Sequence, residues 1–271
     1  MKNIFNLTKT FLLLTVITVM IIGLSSCKKE KANKTLLDTV REKGTITAGV
    51  KYDSKPFGFI DADQKIKGFD VDLIREIAKR LLGDENAVKF QQVTSSNRIF
   101  SLTAGSVDLV AATMTINEKR KQVIDFSNPY YIAGQAITVS KHSPVRSVRD
   151  LNGRKVIVVL GSTSEKNIIE LAPNAIIEGF RTYTDAFSAL KAGRADALTT
   201  DDTLITGFLI ENPNFKMINE RYTKEPYGIG FRKGNDTLTF QQAVNEALDD
   251  MQADGTLEAI RKKWIHKYDN R

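Results

Sequence analysis

Two ten-residue stretches, "AGSVDLVAAT" (Ala104 to Thr113) and "AGRADALTTD" (Ala192 to Asp201), share one local grammar. Each leaves a helical segment through a small-residue turn, passes an aspartate, forms an apolar strand and ends on hydroxyl-bearing residues. The likeness is too short for a repeat and reads as convergence on one α/β unit. Helix feeding strand restricts the chain to a layered α/β architecture with parallel strands. The flanking segments agree. "GTITAGV" (Gly44 to Val50) alternates as a strand. "FDVDLIREIAKRLL" places Val71, Ile74, Ala78 and Leu81 on one helical face, with Ile77 beside them. "AVKFQQV" is a strand, and "RIFSLTAG" a helix stopping near Gly105. After "VDLVAA" the pattern restarts with strands "AITVSK" and "RKVIVVL", a helix reaching about Ala172 before Pro173, the helix "DAFSALKAG" and the strands "RADALTT" and "YGIGFR". Two helices around Gly255 close the chain. Polar residues thus fall at the carboxyl ends of strands in both halves, where open α/β sheets take up ligands.

The 271 residues suffice for one large domain or two modest ones, and 42% apolar content supports a sizeable core. The net charge of +7 is concentrated near the start, at Lys2, Lys9, Lys28, Lys29, Lys31 and Lys34. The remaining body is nearly balanced, which disfavours nucleic acid as a partner. Residues 1–27 read as a targeting signal: a basic start, then the apolar run Phe11 to Ile22, too short to span a membrane comfortably. "LSSC" (Leu24 to Cys27) resembles a bacterial lipobox, which implies cleavage before Cys27 and its acylation; the alternative is a secretory signal with a chance cysteine. Cys27 is the single cysteine, so no disulfide forms within the chain. Residues 28–35 form a solvated tether. With no second apolar stretch of membrane length, the expectation is an extracytoplasmic protein anchored by lipid, whose cargo passes to a membrane partner.

Eight segments in order resemble the polar amino-acid-binding proteins (family 3) of bacterial ABC importers: "GFDVDLIREIAKRL", "GSVDLVAATMTINEKR", "DFSNPYY", "GQAITVSK", "DLNGRKVIVVLGSTSE", "AGRADALTTD", "EPYGIGFRKG" and "MQADGTLEAIRKKW". The resemblance runs from about Thr45 to Trp264. It implies a monomeric two-lobed clamshell of type II topology, with the chain crossing the hinge near Tyr130–Tyr131 and near Tyr227–Gly228. Residues 36–130 and 228–271 would form lobe 1, and residues 131–227 lobe 2. The partners implied are a free amino acid, an ABC permease and its ATPase; no cofactor is implied.

A free amino acid carries a carboxylate and an ammonium, and burying either without a partner is prohibitive. The clamp needs a cation, an anion and a variable third set. Arg120, which closes "TMTINEKR", matches the family's arginine for the α-carboxylate, and a guanidinium fork suits that group. Lys119, Arg120 and Lys121 stand in what reads as a first helical turn, an unfavourable place for cations. A carboxylate facing both the dipole and Arg120 resolves this. Thr115 is expected to add its N–H, and Ser162 and Thr163 to close on the same carboxylate from the other lobe; plain helix capping is the alternative for that pair. Asp201 matches the family's acid for the ammonium, with Thr113 and the carbonyl of Met114 completing the cage. The alternatives are that Asp201 only caps the following helix, or that Asp202 takes its place.

Lys51, in "GVKYDSKPFGF", occupies the position that is an aspartate in relatives binding glutamine, histidine or basic amino acids, and basic in relatives binding glutamate or aspartate. Arg98 and Tyr183 match contacts of the acidic-amino-acid binders. An acidic ligand, glutamate or aspartate, is therefore the leading expectation, with another polar amino acid, chiefly glutamine, as the alternative. A solvent-facing Lys51 is the competing view. Phe57 is either a wall against the ligand's methylenes or simply core. Lys51, Arg98 and Arg120 against Asp201 leave two surplus positive charges that nothing in the sequence balances. His142 and His266 suggest no metal site. A dehydratase on this fold is disfavoured, because no catalytic Ser/His/Asp set is present and the lipobox does not suit a metabolic enzyme. A sensor is weakened by the lack of a second membrane segment, and a lipid-anchored adhesin stays open.

Overall fold

The computed structural model describes residues 34–266, and those from Thr35 onward form one compact unit. Cys27, the signal segment and most of the tether lie outside the described residues. Helix α1 (Leu36–Lys43) opens on a capping box in which Thr35 and Asp38 satisfy each other's backbone N–H.

Strands β1 (Ile46–Val50), β5 (Val88–Gln92), β6 (Leu109–Val110), β7 (Ile124–Phe126) and β15 (Gly230–Arg232) make one five-stranded sheet in the order β5-β1-β6-β15-β7. A second sheet holds β9 (Gln135–Ser140), β10 (Lys155–Val159), β11 (Ile176–Phe180), β12 (Ala197–Asp201) and β13 (Phe215–Met217) in the order β11-β10-β12-β9-β13. Strands β2 (Asp53–Ser54), β3 (Gly58–Ile60) and β4 (Ile66–Lys67) form a small antiparallel sheet of their own. The helices are α2 (Phe69–Leu82), α3 (Arg98–Thr103), α4 (Glu118–Lys121), α5 (Thr163–Leu171), α6 (Tyr183–Lys191), α7 (Asp202–Glu211), α8 (Leu238–Ala253) and α9 (Thr256–Trp264). The expected face of α2 is buried at Val71, Ile74, Ile77 and Ala78, and half-buried at Leu81 near its end.

Both sheets are mixed rather than wholly parallel. In the first, β1 pairs in parallel with β5 and β6, while β15 runs antiparallel. In the second, β10 pairs in parallel with β11 and β12, while β9 runs antiparallel to β12. The antiparallel strand beside each parallel trio is the one that follows a passage between sheets: β9 comes after β8 (Tyr131–Ala133), and β15 after β14 (Glu225–Tyr227). Strands β8 and β14 pair with each other as a two-stranded ribbon. This explains why "YGIGFR", read as one strand, is split at Gly228 and Ile229. The two similar decapeptides end in β6 and β12, which hold the same third place in their sheets.

Strand ends decide where the chemistry sits. Lys51 follows β1, Ser95 follows β5, and Thr113 and Thr115 follow β6. From the other sheet, Ser162 and Thr163 follow β10, Tyr183 follows β11, and Asp201 ends β12. All of these lie at carboxyl ends of parallel strands, the rim where such sheets bind ligands.

Candidate functional site

The two rims meet. Arg120 donates from Nη1 to the Thr115 carbonyl at 2.8 Å and from Nη2 to the Gly161 carbonyl of the opposite rim at 3.2 Å. Thr115 and Thr163 bring their hydroxyls to 3.4 Å. The Tyr183 N–H donates to Asp53 Oδ2 at 2.7 Å, and Lys55 pairs with Glu211 at 2.9 Å. A loop glycine makes one approach possible: Gly161 takes φ of +79°, and a Cβ there would lie 2.7 Å from the Ser95 carbonyl oxygen.

The expected residues are brought together and are buried: Lys51, Phe57, Arg98, Thr113, Met114, Thr115, Arg120, Tyr183 and Asp201 all have relative exposures of 8% or less. Lys51 is not solvent-facing. Its Nζ sits 4.3 Å from the centre of the Tyr183 ring. Burial, then the neighbouring Arg98 guanidinium, pushes its pKa down to about 7. Arg98 donates from Nη1 to the carbonyls of Ala112 at 2.5 Å and Thr113 at 3.1 Å, so part of its fork is committed to the chain itself. Burial lowers its pKa. Phe57 packs edge-on against Phe69, Tyr131 and Tyr227, with centroids 5.2–5.9 Å away, and belongs to the aromatic core beneath the site.

Three expectations change in detail. Helix α4 is a single turn, with Asn117 as its cap and Arg120 in its last turn. No multi-turn dipole backs Arg120; one turn aligns too few peptides, and the guanidinium folds back onto Thr115 and Gly161. The Met114 carbonyl accepts the Gly228 N–H at 3.0 Å, and the Met114 side chain lies in the core beside Gly230. The Ser162 hydroxyl does cap α5, accepting the Glu165 N–H at 3.2 Å. Thr163 instead donates to Glu225 at 2.8 Å and accepts from Gln135 at 2.9 Å.

The carboxylates separate cleanly. Asp201 is the N-cap residue of α7, but its side chain makes no capping hydrogen bond. It accepts the Tyr227 hydroxyl. Burial, then the nearby Glu225 carboxylate, raises its pKa to about 7. Asp202 pairs with Arg221 at 2.9 Å and is structural. Burial, then Arg98, lowers Arg120 to about 9.

The charge surplus is resolved by residues the sequence did not single out. Among the described residues, the buried charged side chains are Lys51, Arg98 and Arg120, and Asp70, Asp201, Asp202 and Glu225. With Asp202 paired to Arg221, three buried cations are matched in number by three buried carboxylates, and half-buried Asp53 also acts on Lys51. Asp70 lies in an ordinary amphipathic helix pattern, and Glu225 in the short strand β14, so neither position carried a signal. Four buried side-chain polar atoms among the described residues have no hydrogen-bond partner: Lys51 Nζ, Ser95 Oγ, Arg98 Nε and Thr113 Oγ1. Leaving such atoms unmatched costs stability, and ligand oxygens are suited to satisfy them. Ser95 was also missed, since a serine in a polar loop is indistinguishable from any other.

The rims make a second close approach. A Cβ at Gly207, inside α7, would lie 2.6 Å from the Lys55 carbonyl oxygen. Alanine favours a helix over glycine by about 1 kcal/mol. Gly207→Ala is therefore expected to raise the melting temperature of the ligand-free protein while weakening ligand affinity by about tenfold, through obstructed closure. Scanning calorimetry and titration check the opposed signs.

Fold and rim together define a two-lobed α/β protein with a charged interlobe cleft. Residues 46–267 match the family of bacterial extracellular solute-binding proteins, family 3. The glutamine-binding protein of an ABC transporter in Bacillus subtilis (strain 168) is 42% identical over 273 residues, covering 98% of each chain. A glutamine-binding protein of Geobacillus stearothermophilus is 44% identical over 204 residues, covering 74% of this chain and 78% of that one. The crystal structure of a cysteine-binding protein from Campylobacter jejuni superposes with a TM-score of 0.83 at 29% identity, covering 86% of this chain and 94% of that one. The chain belongs to the family 3 extracellular solute-binding proteins and has their type II two-lobed fold. Its relatives are transport binding proteins rather than enzymes. No helix among the described residues is long and apolar enough to cross a membrane.

Proposed function

We propose that this protein captures L-glutamine, a net-neutral polar amino acid, between its lobes and delivers it to the permease of an ABC importer. The charge inventory carries this reading. Three buried cations are already matched in number by three buried carboxylates, so a zwitterion with an uncharged side chain enters without adding net charge. Glutamate would add an unbalanced negative charge to a dry site, where uncompensated charge is expensive. Two relatives named for glutamine binding support the same choice over the acidic ligand expected from Lys51 and Arg98.

In this reading Arg120 takes the α-carboxylate, with Thr115, Ser162 and Thr163. Asp201 takes the ammonium, with Thr113. Lys51 Nζ, Arg98 Nε and Ser95 Oγ meet the side-chain amide, with Tyr183 beside it and Phe57 beneath. Met114 serves the cleft through its backbone. Residues 36–130 and 228–271 form one lobe and residues 131–227 the other, hinged at the β8–β14 ribbon. Cys27 is the proposed lipid anchor.

Thermal-shift screening of the twenty amino acids, followed by calorimetric titration, tests the ligand. Tighter binding of glutamate than glutamine would restore the acidic reading. The pH profile discriminates too. Asp201, raised to about 7, must be ionised to hold the ammonium. Glutamine affinity is expected to be highest between about pH 7 and about pH 9, above which Arg120 and the ligand's ammonium lose charge, and to fall below pH 7, approaching about tenfold per pH unit for one coupled proton. A glutamate site needs Lys51, lowered to about 7, to be charged, and would lose affinity as pH rises above 7.

A further inference from the structure

Thr113 has φ of +46°, one of two non-glycine residues with positive φ among those described. For a β-branched residue this is an unfavourable conformation, costing on the order of 1–3 kcal/mol. It sits at the rim, immediately before the Met114–Thr115 segment that carries the proposed carboxylate contacts.

The strained turn is held from both sides by buried ionisable groups. The peptide linking Ala112 to Thr113 has its carbonyl bound by Arg98 Nη1 at 2.5 Å and its N–H bound by Asp70 Oδ2 at 3.1 Å. The next carbonyl, of Thr113, is taken by the same Arg98 nitrogen at 3.1 Å. Both peptide planes that define the residue are thereby anchored. Asp70 is fully buried at the start of α2, and its other oxygen, Oδ1, accepts the Tyr130 hydroxyl at 2.8 Å. Tyr130 adjoins the β8 ribbon, and its own N–H donates to the Tyr227 carbonyl there. One carboxylate therefore ties the rim turn to the hinge. Burial keeps Asp70 at about 6 even with these two donors and the Lys51 and Arg98 charges beside it. A helix could be started at lower cost by an exposed residue; the donors that Asp70 meets lie on other elements.

We propose that Asp70 is a positioning residue for amino-acid capture: it holds Thr113 in the left-handed conformation that aims the Thr113–Thr115 segment at the ligand, and Tyr130 orients its carboxylate. The proposal rests on the functional reading above, which places the ligand against this segment. It separates Asp70 from the residues that touch ligand, and it ties its effect to the backbone of one neighbour.

A double-mutant cycle of Asp70→Asn and Thr113→Gly tests it, read by calorimetric titration of L-glutamine. Glycine adopts positive φ without the steric penalty and so removes the need for the brace. Asp70→Asn is expected to weaken binding by about tenfold or more when Thr113 is present. In the Thr113→Gly background the same substitution is expected to change affinity by less than about threefold. A residue needed only for general stability would give equal losses in both backgrounds. Equal losses, or no loss in the first, overturn the proposal. Should Asp70→Asn not fold, Tyr130→Phe takes its place in the cycle, with the same pattern expected. Should wild-type protein not bind L-glutamine, the functional reading fails first, and the Thr113 amide proton decides this one. A low-field resonance that moves as Asp70 titrates supports the brace; a resonance insensitive to that titration overturns it.

Discussion

Arg120→Ala is expected to abolish amino-acid capture, with affinity for L-glutamine falling by about 100-fold or more, or roughly 3–5 kcal/mol. The buried guanidinium bridges both rims, bonding Thr115 on one side and Gly161 on the other. Its removal leaves the ligand's α-carboxylate buried without a counter-charge and also frees both carbonyls. Arg120→Lys is expected to recover little, because an ammonium lacks the fork that holds a carboxylate and two carbonyls together. The neighbouring cations supply the control. Lys119 is exposed, and Lys121 pairs with Glu118 at 2.8 Å on the surface. Alanine at either is expected to leave affinity within about twofold. Calorimetry showing unchanged affinity in Arg120→Ala would remove this residue from the site.

Asp201→Asn is expected to cost about 2–5 kcal/mol of binding free energy, because the isosteric amide keeps an acceptor for the Tyr227 hydroxyl but loses the charge that the ammonium requires. The substitution carries a second signature. With no carboxylate to protonate, the fall in affinity below pH 7 should disappear along with the tight binding. A variant that binds weakly but keeps the acid-side slope would assign that slope to another group, with Asp70, raised to about 6, the first to examine. Titrations at several pH values separate these outcomes.

The two lobes' shared helix-to-strand grammar, the α2 face and the closing helices are local patterns, and they were readable because periodicity needs only neighbours in the chain. Arg120 and Asp201 were singled out by matching the family's motifs, and both are buried at the rim. Asp70 was not, because an aspartate in the first turn of an amphipathic helix has an ordinary reason to be there. Its partners, Thr113 and Tyr130, are remote in sequence. Glu225 was hidden in the same way, inside a segment that looked like plain strand. Lys51 and Arg98 were singled out as cleft cations, but the buried carboxylates near them were not, and this made the cleft look too positive.

Sequence order was enough to establish an α/β chain that places hydroxyls, a lysine, an arginine and an aspartate at strand carboxyl ends, since strand and helix periods are written locally. The resemblance of eight ordered segments to family 3 added the type of ligand, with Arg120 and Asp201 matched to the family's contacts for a carboxylate and an ammonium. Tertiary structure decided the sign of the cleft, the mixed direction of both sheets and the left-handed turn at Thr113. Each of these depends on which distant groups share one water-excluded volume, and charge compensation there is a property of the assembled neighbourhood rather than of any stretch of chain.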